Sequence, residues 1–527
     1  MLARFKSVFA SLSLPTAAQV AGRETQDAGH VVGTGVVVVI ACFVLLVHWY
    51  GEAWLVPWHD EVVIGRLAQN LGNGAGFRND WMDGLLPGAD RRTYWQMPAY
   101  PIALAGWGKL WGFDLNTMRE LSRCLSVIAL LLLFALGRCV GLAPLWRLVV
   151  VLWTASDLNF QFAANFVRPE ALCTTLLIAA SVAAAKATVT DDPLPWWLSV
   201  GICTASAVLT HPLALLPSLV LFVTAWRQTG WRGASAAGVP MLVAMGGWLL
   251  YAAQEPALFL AQMRAHWAHK QKSGVESLLL LATGADFWGI WRYLGVPMTP
   301  QPAAAIALIG AYYAWSRRRC CTAGWLGAFV VALYTVVALG AEAWYPAVFV
   351  PFGYLLAAWL CHDLAVWRPT WRPMLLTVAA VWWSLQAALI VRHATAVPRV
   401  RTEVQAFTET VAQLLPHRAV VLIGSFSPDP TYALRRVRPD VRVYALMPLR
   451  MVNRSALHRL QGQLTHALVL EPRLQGVTAS GVVVRRWHFT FGGLSAPRRG
   501  VRVVLLRCAA LPTASQGAHN SKRLAGF

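Results

Sequence analysis

The tetrapeptide Trp58-His59-Asp60-Glu61 follows the first long apolar segment of the chain and places two adjacent carboxylates beside hydrocarbon. Charge in or near a membrane core is costly, and ionisable residues there usually serve a function. A carboxylate in this position could take a proton from a hydroxyl, hold a cation or pair with a cationic group. The alternative interpretation is structural, because two acids suit the positive end of a helix dipole.

The composition is that of an integral membrane protein. Of the 527 residues, 57% are hydrophobic and 13% are charged, and the mean hydropathy is +0.50. The 26 Trp and 12 Tyr suit a chain with many membrane–water boundaries, where amphipathic rings collect. The nine Cys show no CxxC or Cys/His spacing, so the sequence predicts neither a zinc site nor a disulfide framework.

The apolar segments predict a polytopic α-helical membrane domain over residues 31–391, preceded by a tail at 1–30. Each segment approaches the ~20 residues that a helix needs to cross a bilayer, which gives about eleven spans. The first segment is too long, and ends in residues too bulky, for a cleaved signal peptide. The predicted spans are residues 31–50, 121–137, 145–163, 170–187, 196–210, 212–226, 236–253, 301–316, 322–341, 344–361 and 373–391.

Lys and Arg in the short connections set the expected orientation, since cytoplasmic loops are enriched in these residues. One condition decides whether all Lys and Arg residues of the short connections lie on the same side of the membrane. They do so, including Arg317, Arg318 and Arg319, if residues 276–296 lie along the interface and do not cross the membrane. The N-terminal tail is then cytoplasmic. The parts expected outside are residues 51–120, 165–170, 254–300 and the chain from Arg392 onward.

The outer loop at residues 51–120 is too long and too patterned for a simple connection. Its hydrophobic spacing predicts a short amphipathic helix over Val62–Leu71 and a second apolar helix over Pro98–Trp111 that lies along the surface. Two adjacent arginines and several aspartates lie between these helices. They face the same compartment as Asp60.

Residues 392–508 predict a soluble α/β domain attached to the last span. A helical pattern over 402–415 precedes short apolar runs that are typical of strands. Residues 509–527 are small and polar and are predicted to be disordered. The strand-like runs are Ala419–Ile423, Val441–Leu446, His466–Leu470, Gly481–Val484 and Val501–Leu506.

Most of the net charge of +21 lies in this domain and the tail that follows it. From Arg392 to Phe527 there are 20 Arg and Lys against five Asp and Glu, a net charge of +15. A basic domain beside a bilayer predicts contact with anionic lipid head groups or acidic envelope polymers. Nucleic acid is not expected as a partner, because no nucleic-acid-binding motif accompanies the charge.

A second acidic site, Glu170 at the start of a predicted span, is expected at the same depth as Asp60 and Glu61. Separated carboxylates on one face could activate a hydroxyl and bind a sugar or a metal ion. His211 is a third polar interruption near the outer face. The structural alternatives are a favourable helix N-terminal charge for Glu170 and a hydrogen-bonded packing role for His211.

The ordered set of motifs resembles the GT-C superfamily of membrane glycosyltransferases. The likeness is greatest to the bacterial relatives of protein O-mannosyltransferases and of the lipid A aminoarabinose transferase, and it covers residues 30–390. The segments that carry it are Asp60-Glu61, Tyr94-Trp95-Gln96-Met97-Pro98-Ala99-Tyr100-Pro101, Arg119 to Arg138, Arg168-Pro169-Glu170, Thr210-His211-Pro212 and Trp344-Tyr345-Pro346 through Pro351.

This resemblance implies an enzyme that moves a single sugar from a polyprenyl-phosphate donor to an envelope lipid, polysaccharide or protein. The reaction would take place at the periplasmic face of the bacterial inner membrane. Asp60 would be the general base on the acceptor hydroxyl, and Glu61 and Glu170 would position substrate. The same three acids are the candidate ligands if a divalent cation such as Mg, Mn or Ca takes part.

The phosphate-binding lysine that the resemblance implies is missing. Many relatives carry Lys-Pro-Pro-Leu-Tyr where this chain has Gln96-Met97-Pro98-Ala99-Tyr100. Other cationic groups must then receive the charge of the departing phosphate. The candidate substrate-binding residues are Arg66, Arg91, Arg92, Arg168, Tyr94, Gln96, Tyr100, His211 and Tyr345.

Two other classes of function are open from the sequence. Outward-facing acids and a midchain histidine would also suit a proton-coupled transporter of lipid or polymer, a class that usually shows internal repeats and polar helices near the midplane. A non-catalytic membrane scaffold could use the basic domain to bind envelope polymers. The sequence shows no convincing repeat and its acids cluster in outer loops, which favours the enzyme.

Overall fold

The computed structural model describes most of the chain as a helical membrane part joined to a mixed sheet. The described residues are 57–83, 85–270, 275–276, 308–312, 321–340, 345–394, 397–424, 428–446, 463–471, 482–489 and 501–508, together with 35, 40, 43, 44 and 460. The predictions for residues 1–30 and 509–527 lie outside them, as do most of those for 31–50, 276–296 and 301–316.

The outer loop contains the two helices that the sequence predicts. Helix α1 spans His59–Gly72 and helix α2 spans Ala99–Trp111. α1 is amphipathic, and Ile64 and Ala68 on one of its faces pack with Tyr100 and Leu104 of α2 in a buried cluster. Both predicted helices are confirmed, and α1 begins three residues earlier than its hydrophobic pattern because Asp60 and Glu61 form its first turn.

The membrane part continues as a series of apolar helices. Four stretches among the described residues are long and apolar enough to cross a membrane: 115–139, 170–187, 212–252 and 346–367. The predicted total of about eleven spans stays a prediction. The helices are α3 (Leu115–Cys139), α4 (Pro144–Ala155), α5 (Leu158–Asn165), α6 (Glu170–Ala187), α7 (Leu194–Thr210), α8 (Leu215–Ala252), α9 (Pro256–Lys270), α10 (Cys321–Gly340), α11 (Pro346–Trp367) and α12 (Arg372–Ala394).

Helix α8 is two helical arms joined at a break. Gly230 has φ 62° and ψ −151°, a left-handed backbone conformation that favours glycine. The break falls between the predicted spans 212–226 and 236–253. The two predicted segments therefore correspond to the two arms of α8.

The C-terminal domain contains helices α13 (Val397–Leu414) and α14 (Thr431–Val437) and a five-stranded sheet. The strands are β1 (Val420–Ile423), β2 (Arg442–Ala445), β3 (His466–Leu470), β4 (Val482–Phe489) and β5 (Val501–Arg507), in the order β2-β1-β3-β5-β4. β1 pairs in parallel with β2 and β3, whereas β5 is antiparallel to β3 and β4. All five predicted strands are present, and β4 continues beyond the predicted run.

The two faces of this sheet are buried against different parts of the chain. Phe407 and Val411 of α13 pack on one face. Val62 and Val63 of α1 pack on the other, in a cluster that includes Leu422 of β1. Full burial of one such valine contributes roughly 1.5–3 kcal/mol relative to exposure. The domain predicted to be separate therefore shares a hydrophobic core with the outer loop.

The predicted span at residues 145–163 is a broken helix. α4 ends at Ala155, and Asp157 caps α5 by accepting hydrogen bonds from the backbone N–H groups of Asn159 and Phe160, at 2.8 and 3.3 Å. Side chains of Ser and Asp compete with the helical backbone for hydrogen bonds, which explains the break at these two residues. The sequence pattern missed it because both flanking segments are apolar.

Asp157 also joins a buried hydrogen-bonded chain between helices. Its Oδ2 lies 2.7 Å from the hydroxyl of Tyr354 on α11. The Tyr354 hydroxyl donates to this oxygen, and the Gln386 amide on α12 lies 2.6 Å from the same hydroxyl and 3.0 Å from Ser156 Oγ. Asp157, Tyr354 and Gln386 thereby connect α5, α11 and α12 inside the membrane part.

This arrangement predicts the effect of two substitutions. Asp157→Asn should change thermal stability in detergent only slightly, because its amide oxygen still caps α5 and its amide group can still hydrogen-bond Tyr354. Asp157→Leu should lower stability by about 1–3 kcal/mol, because it leaves buried polar groups unpaired. Thermal unfolding of both variants checks this. Equal damage by both would show that retained hydrogen bonding at position 157 does not preserve stability.

Candidate active site at the first outer helix

Three consecutive ionisable residues open α1, and each binds a different part of the protein. His59 pairs with Asp429 of the C-terminal domain, Asp60 with Arg168 before α6, and Glu61 with Arg119 of α3. Successive residues of a helix point about 100° apart, so neighbours in sequence face different surroundings. The start of α1 is therefore held from three directions.

Glu61 is completely buried, and hydrogen bonds occupy both of its carboxylate oxygens. Arg119 binds it through two parallel contacts, Nε to Oε1 at 2.8 Å and Nη2 to Oε2 at 2.7 Å. The backbone N–H of Val167 donates to Oε1 at 2.9 Å, and that of Trp58 donates to Oε2 at 3.0 Å. Such bidentate, charge-assisted pairs are strong and directional. Glu61 thus fixes α1 to α3 and to the turn before α6.

Arg168 lies between the other two predicted acids. Its Nη1 donates to Asp60 Oδ2 at 2.6 Å, and its Nη2 and Nε donate to Glu170 at 2.9 and 3.1 Å. The guanidinium carbon also lies 4.5 Å from the centre of the Trp58 ring, a cation–π distance. Burial lowers the pKa of Arg168, but Glu170 and Asp60 more than offset this and raise it. Arg168 is a permanent cation shared by two carboxylates.

Asp60 is the accessible member of the three predicted acids. Its side chain is 32% exposed, whereas those of Glu61 and Glu170 are 0% and 1% exposed. Glu170 is the first residue of α6, where the helix dipole favours a negative charge. A reacting group must reach substrate, so the exposure singles out Asp60 among the three.

Tyr345 and His211 meet close to this cluster. Their rings pack edge to face with centres 4.9 Å apart. Burial raises the pKa of Tyr345, Glu170 and Asp60 raise it further, and Arg168 lowers it, so the phenol stays protonated near neutral pH. His211 Nδ1 accepts a hydrogen bond from the backbone N–H of Leu213 at 3.2 Å. The proton of neutral His211 is therefore on Nε2. Both side chains can donate hydrogen bonds.

Tyr100 lies behind the site as a buried support. Its hydroxyl is 3.0 Å from Ser122 Oγ, which donates to the carbonyl of Phe166 at 2.8 Å. Burial raises the pKa of Tyr100, with Glu61 and Glu170 adding to the effect. This chain of hydrogen bonds holds the turn that carries Arg168.

The outer-loop arginines predicted to bind phosphate are engaged within the protein. Arg66 makes two hydrogen bonds to Asp80, at 2.8 and 2.6 Å. Arg91 and Arg92 pair with Glu255 just before α9, at 3.5 and 3.1 Å. All three arginines form ion pairs, and Arg91, whose side chain is 65% exposed, is the most accessible of the three.

Tyr94 and Gln96 differ in their surroundings. The Tyr94 ring is buried among Trp248, Tyr251 and Phe259, and its backbone N–H donates to Gln262 at 2.7 Å. The structure thus places Tyr94 in a packing cluster with α8 and α9. Gln96 is half-buried on the stretch that leads into α2.

Sequence reasoning did not identify three residues that shape the site. Arg119 opens a segment singled out for its resemblance, but nothing in that segment indicated its bond to Glu61. The sequence gives His59 no role beyond its place in the tetrapeptide Trp58-His59-Asp60-Glu61, and it does not single out Asp429. His59 and Asp429 are 370 positions apart, so no local pattern could have joined them.

The three predicted acids do not form a vacant set of metal ligands. Glu61 is ion-paired with Arg119, and Asp60 and Glu170 are both ion-paired with Arg168. Within the part of the chain that the structure describes, no three His, Cys, Asp or Glu side chains gather as a metal site. The donor set does not fit a divalent cation.

Comparison by sequence identifies no matching protein family and no matching curated protein. Comparison of structures identifies ArnT from Cupriavidus metallidurans in the apo state, with a TM-score of 0.53 and 15% identity over 91% of this chain and 98% of ArnT. ArnT bound to undecaprenyl phosphate matches with the same TM-score and identity, over 91% of this chain and 99% of ArnT.

A more distant likeness links the chain to the oligosaccharyltransferase of Archaeoglobus fulgidus in complex with Zn and sulfate. The identity is 11% over 81% of this chain and 67% of the archaeal protein, with a TM-score of 0.48, and this likeness carries no conclusion about the present chain. The match to ArnT, in contrast, shows that this chain has the fold of ArnT.

Proposed function

We propose that this protein is a membrane glycosyltransferase that moves a single sugar from a polyprenyl-phosphate donor to a hydroxyl of an envelope lipid, polysaccharide or protein. The observation that carries the proposal is the pairing of one accessible carboxylate, Asp60, with the buried cation Arg168. The fold supports the same conclusion, because ArnT with this fold has been crystallised with undecaprenyl phosphate.

In the proposed reaction, the acceptor oxygen attacks the anomeric carbon of the sugar and its proton passes to Asp60. The bond from the anomeric carbon to the phosphate oxygen breaks, and its electron pair leaves with the polyprenyl phosphate. Asp60 suits the role of base because it is accessible and lies beside a fixed cation.

Arg168 couples proton uptake to departure of the phosphate. In the resting site its Nη1 pairs with Asp60, while Nη2 and Nε remain on Glu170. When Asp60 takes the proton it loses its charge, so Nη1 loses its ionic partner as negative charge develops on the leaving group. A pre-positioned cation that faces developing charge is an effective form of transition-state stabilisation.

The remaining groups have supporting roles in this proposal. Tyr345 and the Nε2–H of His211 are donors for sugar hydroxyls or phosphate oxygens. Glu61 and Glu170 position α1 and Arg168 and do not take part in proton transfer. The proton-coupled transporter is not favoured, because the fold matches a GT-C enzyme.

The first prediction of this proposal concerns Asp60. Asp60→Asn preserves size and hydrogen bonding but removes basicity, so turnover should fall ~10²–10⁴-fold, about 3–5 kcal/mol of barrier, with the fold intact. The measurement is sugar transfer from a polyprenyl phosphate by purified protein in detergent. Full turnover by Asp60→Asn would show that another group is the base.

The second prediction concerns the contribution of Glu61 to the stability of the protein, which distinguishes its structural role from the catalytic role of Asp60. Glu61→Gln leaves the buried Arg119 without a compensating charge and should destabilise the protein by about 3–5 kcal/mol. The matched control is Glu120→Gln, since Glu120 is 48% exposed and pairs with Arg123 one turn away. That surface change should cost at most about 1 kcal/mol. Thermal unfolding in detergent compares the two, and an unchanged midpoint for Glu61→Gln would contradict the structural role.

The third prediction concerns orientation. We place the N-terminus in the cytoplasm and the C-terminal domain in the periplasm, on the basis of the cations in the short loops. Arg232 lies beside the break in α8, and Gly424 follows β1 in the C-terminal domain. Reporter fusions at these two positions should report opposite sides of the membrane. Reports from one side would place Asp60 wrongly for a periplasmic reaction.

A further inference from the structure

We infer that the C-terminal domain positions the reactive carboxylate of the active site through a buried link between Asp429 and His59. The inference rests on the proposed function in one respect, namely that Asp60 is the base. It assigns to Asp429 a positioning role in a reaction that occurs on another part of the chain.

The link is short and completely buried. His59 Nδ1 lies 2.7 Å from Asp429 Oδ2, and both side chains are 0% exposed. The backbone N–H of Asp429 also donates to the carbonyl of Pro57 at 2.8 Å. Two contacts thus join the turn that holds Asp429 to the residues on either side of Trp58.

Asp429 is itself fixed within its own domain. Its second oxygen, Oδ1, accepts hydrogen bonds from the backbone N–H and the hydroxyl of Thr431, at the start of α14. Each carboxylate oxygen therefore has a distinct task. One holds the domain's own turn, and the other holds His59.

A second contact fixes α1 further along its length. Tyr432, the second residue of α14, packs against α1 at Gly65, which has no side chain. A methyl group placed on Gly65 would lie 2.5 Å from the Tyr432 hydroxyl and 2.7 Å from the end of Met118. The Tyr432 ring also packs edge to face on Trp81, with centres 5.4 Å apart. The C-terminal domain thus holds α1 at its first residue and nearly two turns later.

This arrangement bears directly on Asp60, the next residue after His59. The 2.6 Å contact between Asp60 and Arg168 depends on the position of the first turn of α1. Release of His59 would remove one of the contacts that fix this turn. Displacement of a reacting group by about 1 Å can cost on the order of 100-fold in rate, even when binding is retained.

The test compares two substitutions of Asp429. Asp429→Ser keeps an oxygen that can cap Thr431 but is too short to reach His59, so kcat should fall about 10- to 100-fold while KM for the lipid donor is unchanged. Asp429→Asn can still hydrogen-bond His59 and should recover most of the turnover. The control is Asp440→Ser, since Asp440 lies in the same domain and pairs with Arg438.

A second measurement does not depend on enzymatic activity. Hydrogen–deuterium exchange of the full-length protein in detergent should be faster in the first turn of α1 in Asp429→Ser than in the wild type or Asp440→Ser. Unchanged exchange there, or wild-type kcat in Asp429→Ser, would overturn the inference. Faster exchange throughout the protein, with KM and kcat both impaired, would show a merely structural role. A wild-type protein without transferase activity would contradict the proposed function, while the exchange result would still decide whether the link exists.

Discussion

The bond between Glu61 and Arg119 is the constraint on which the rest of the site depends. Two opposite charges removed from water must be matched closely, because either one left alone would be strongly destabilising. Arg119 matches both oxygens of Glu61, and two backbone N–H groups complete the shell. The start of α1 is thereby set against α3 and against the turn that carries Arg168. The accessible carboxylate of Asp60 owes its position to this buried neighbour.

The electrostatics of the site follow from the order of the residues along α1. His59, Asp60 and Glu61 point to different sides of one helical turn, so two can be buried as anchors while the third reaches the surface. Arg168 then serves two carboxylates, one buried and one accessible. Loss of charge on the accessible acid would free part of the guanidinium for a phosphate. This arrangement offers an alternative to the lysine that the resemblance implies and this chain lacks.

Much of the fold could be predicted from the sequence because hydrophobic periodicity is a local signal. The strand at His466–Leu470 and the helix at Glu170–Ala187 match their predicted runs. The break at Asp157 could not be predicted, since the capping of α5 replaces helical bonds without interrupting the apolar pattern. The sequence identified Asp60, Glu61 and Glu170 as a group. The resemblance implied Asp60 as the base among them, but the sequence offered no physical reason for that choice, because exposure and the Arg119 pairing are products of tertiary packing.

The central claim, that this site receives a polyprenyl phosphate beside Arg168, is tested most directly by native mass spectrometry of the purified protein. The account predicts an adduct with the mass of a polyprenyl monophosphate, or of that lipid carrying one sugar, in the wild type. Arg168→Gln should lose the adduct, whereas Arg123→Gln, a change to a half-buried arginine of α3, should keep it. An adduct that persists unchanged in Arg168→Gln, or a wild type that carries only bulk phospholipid, would contradict the account.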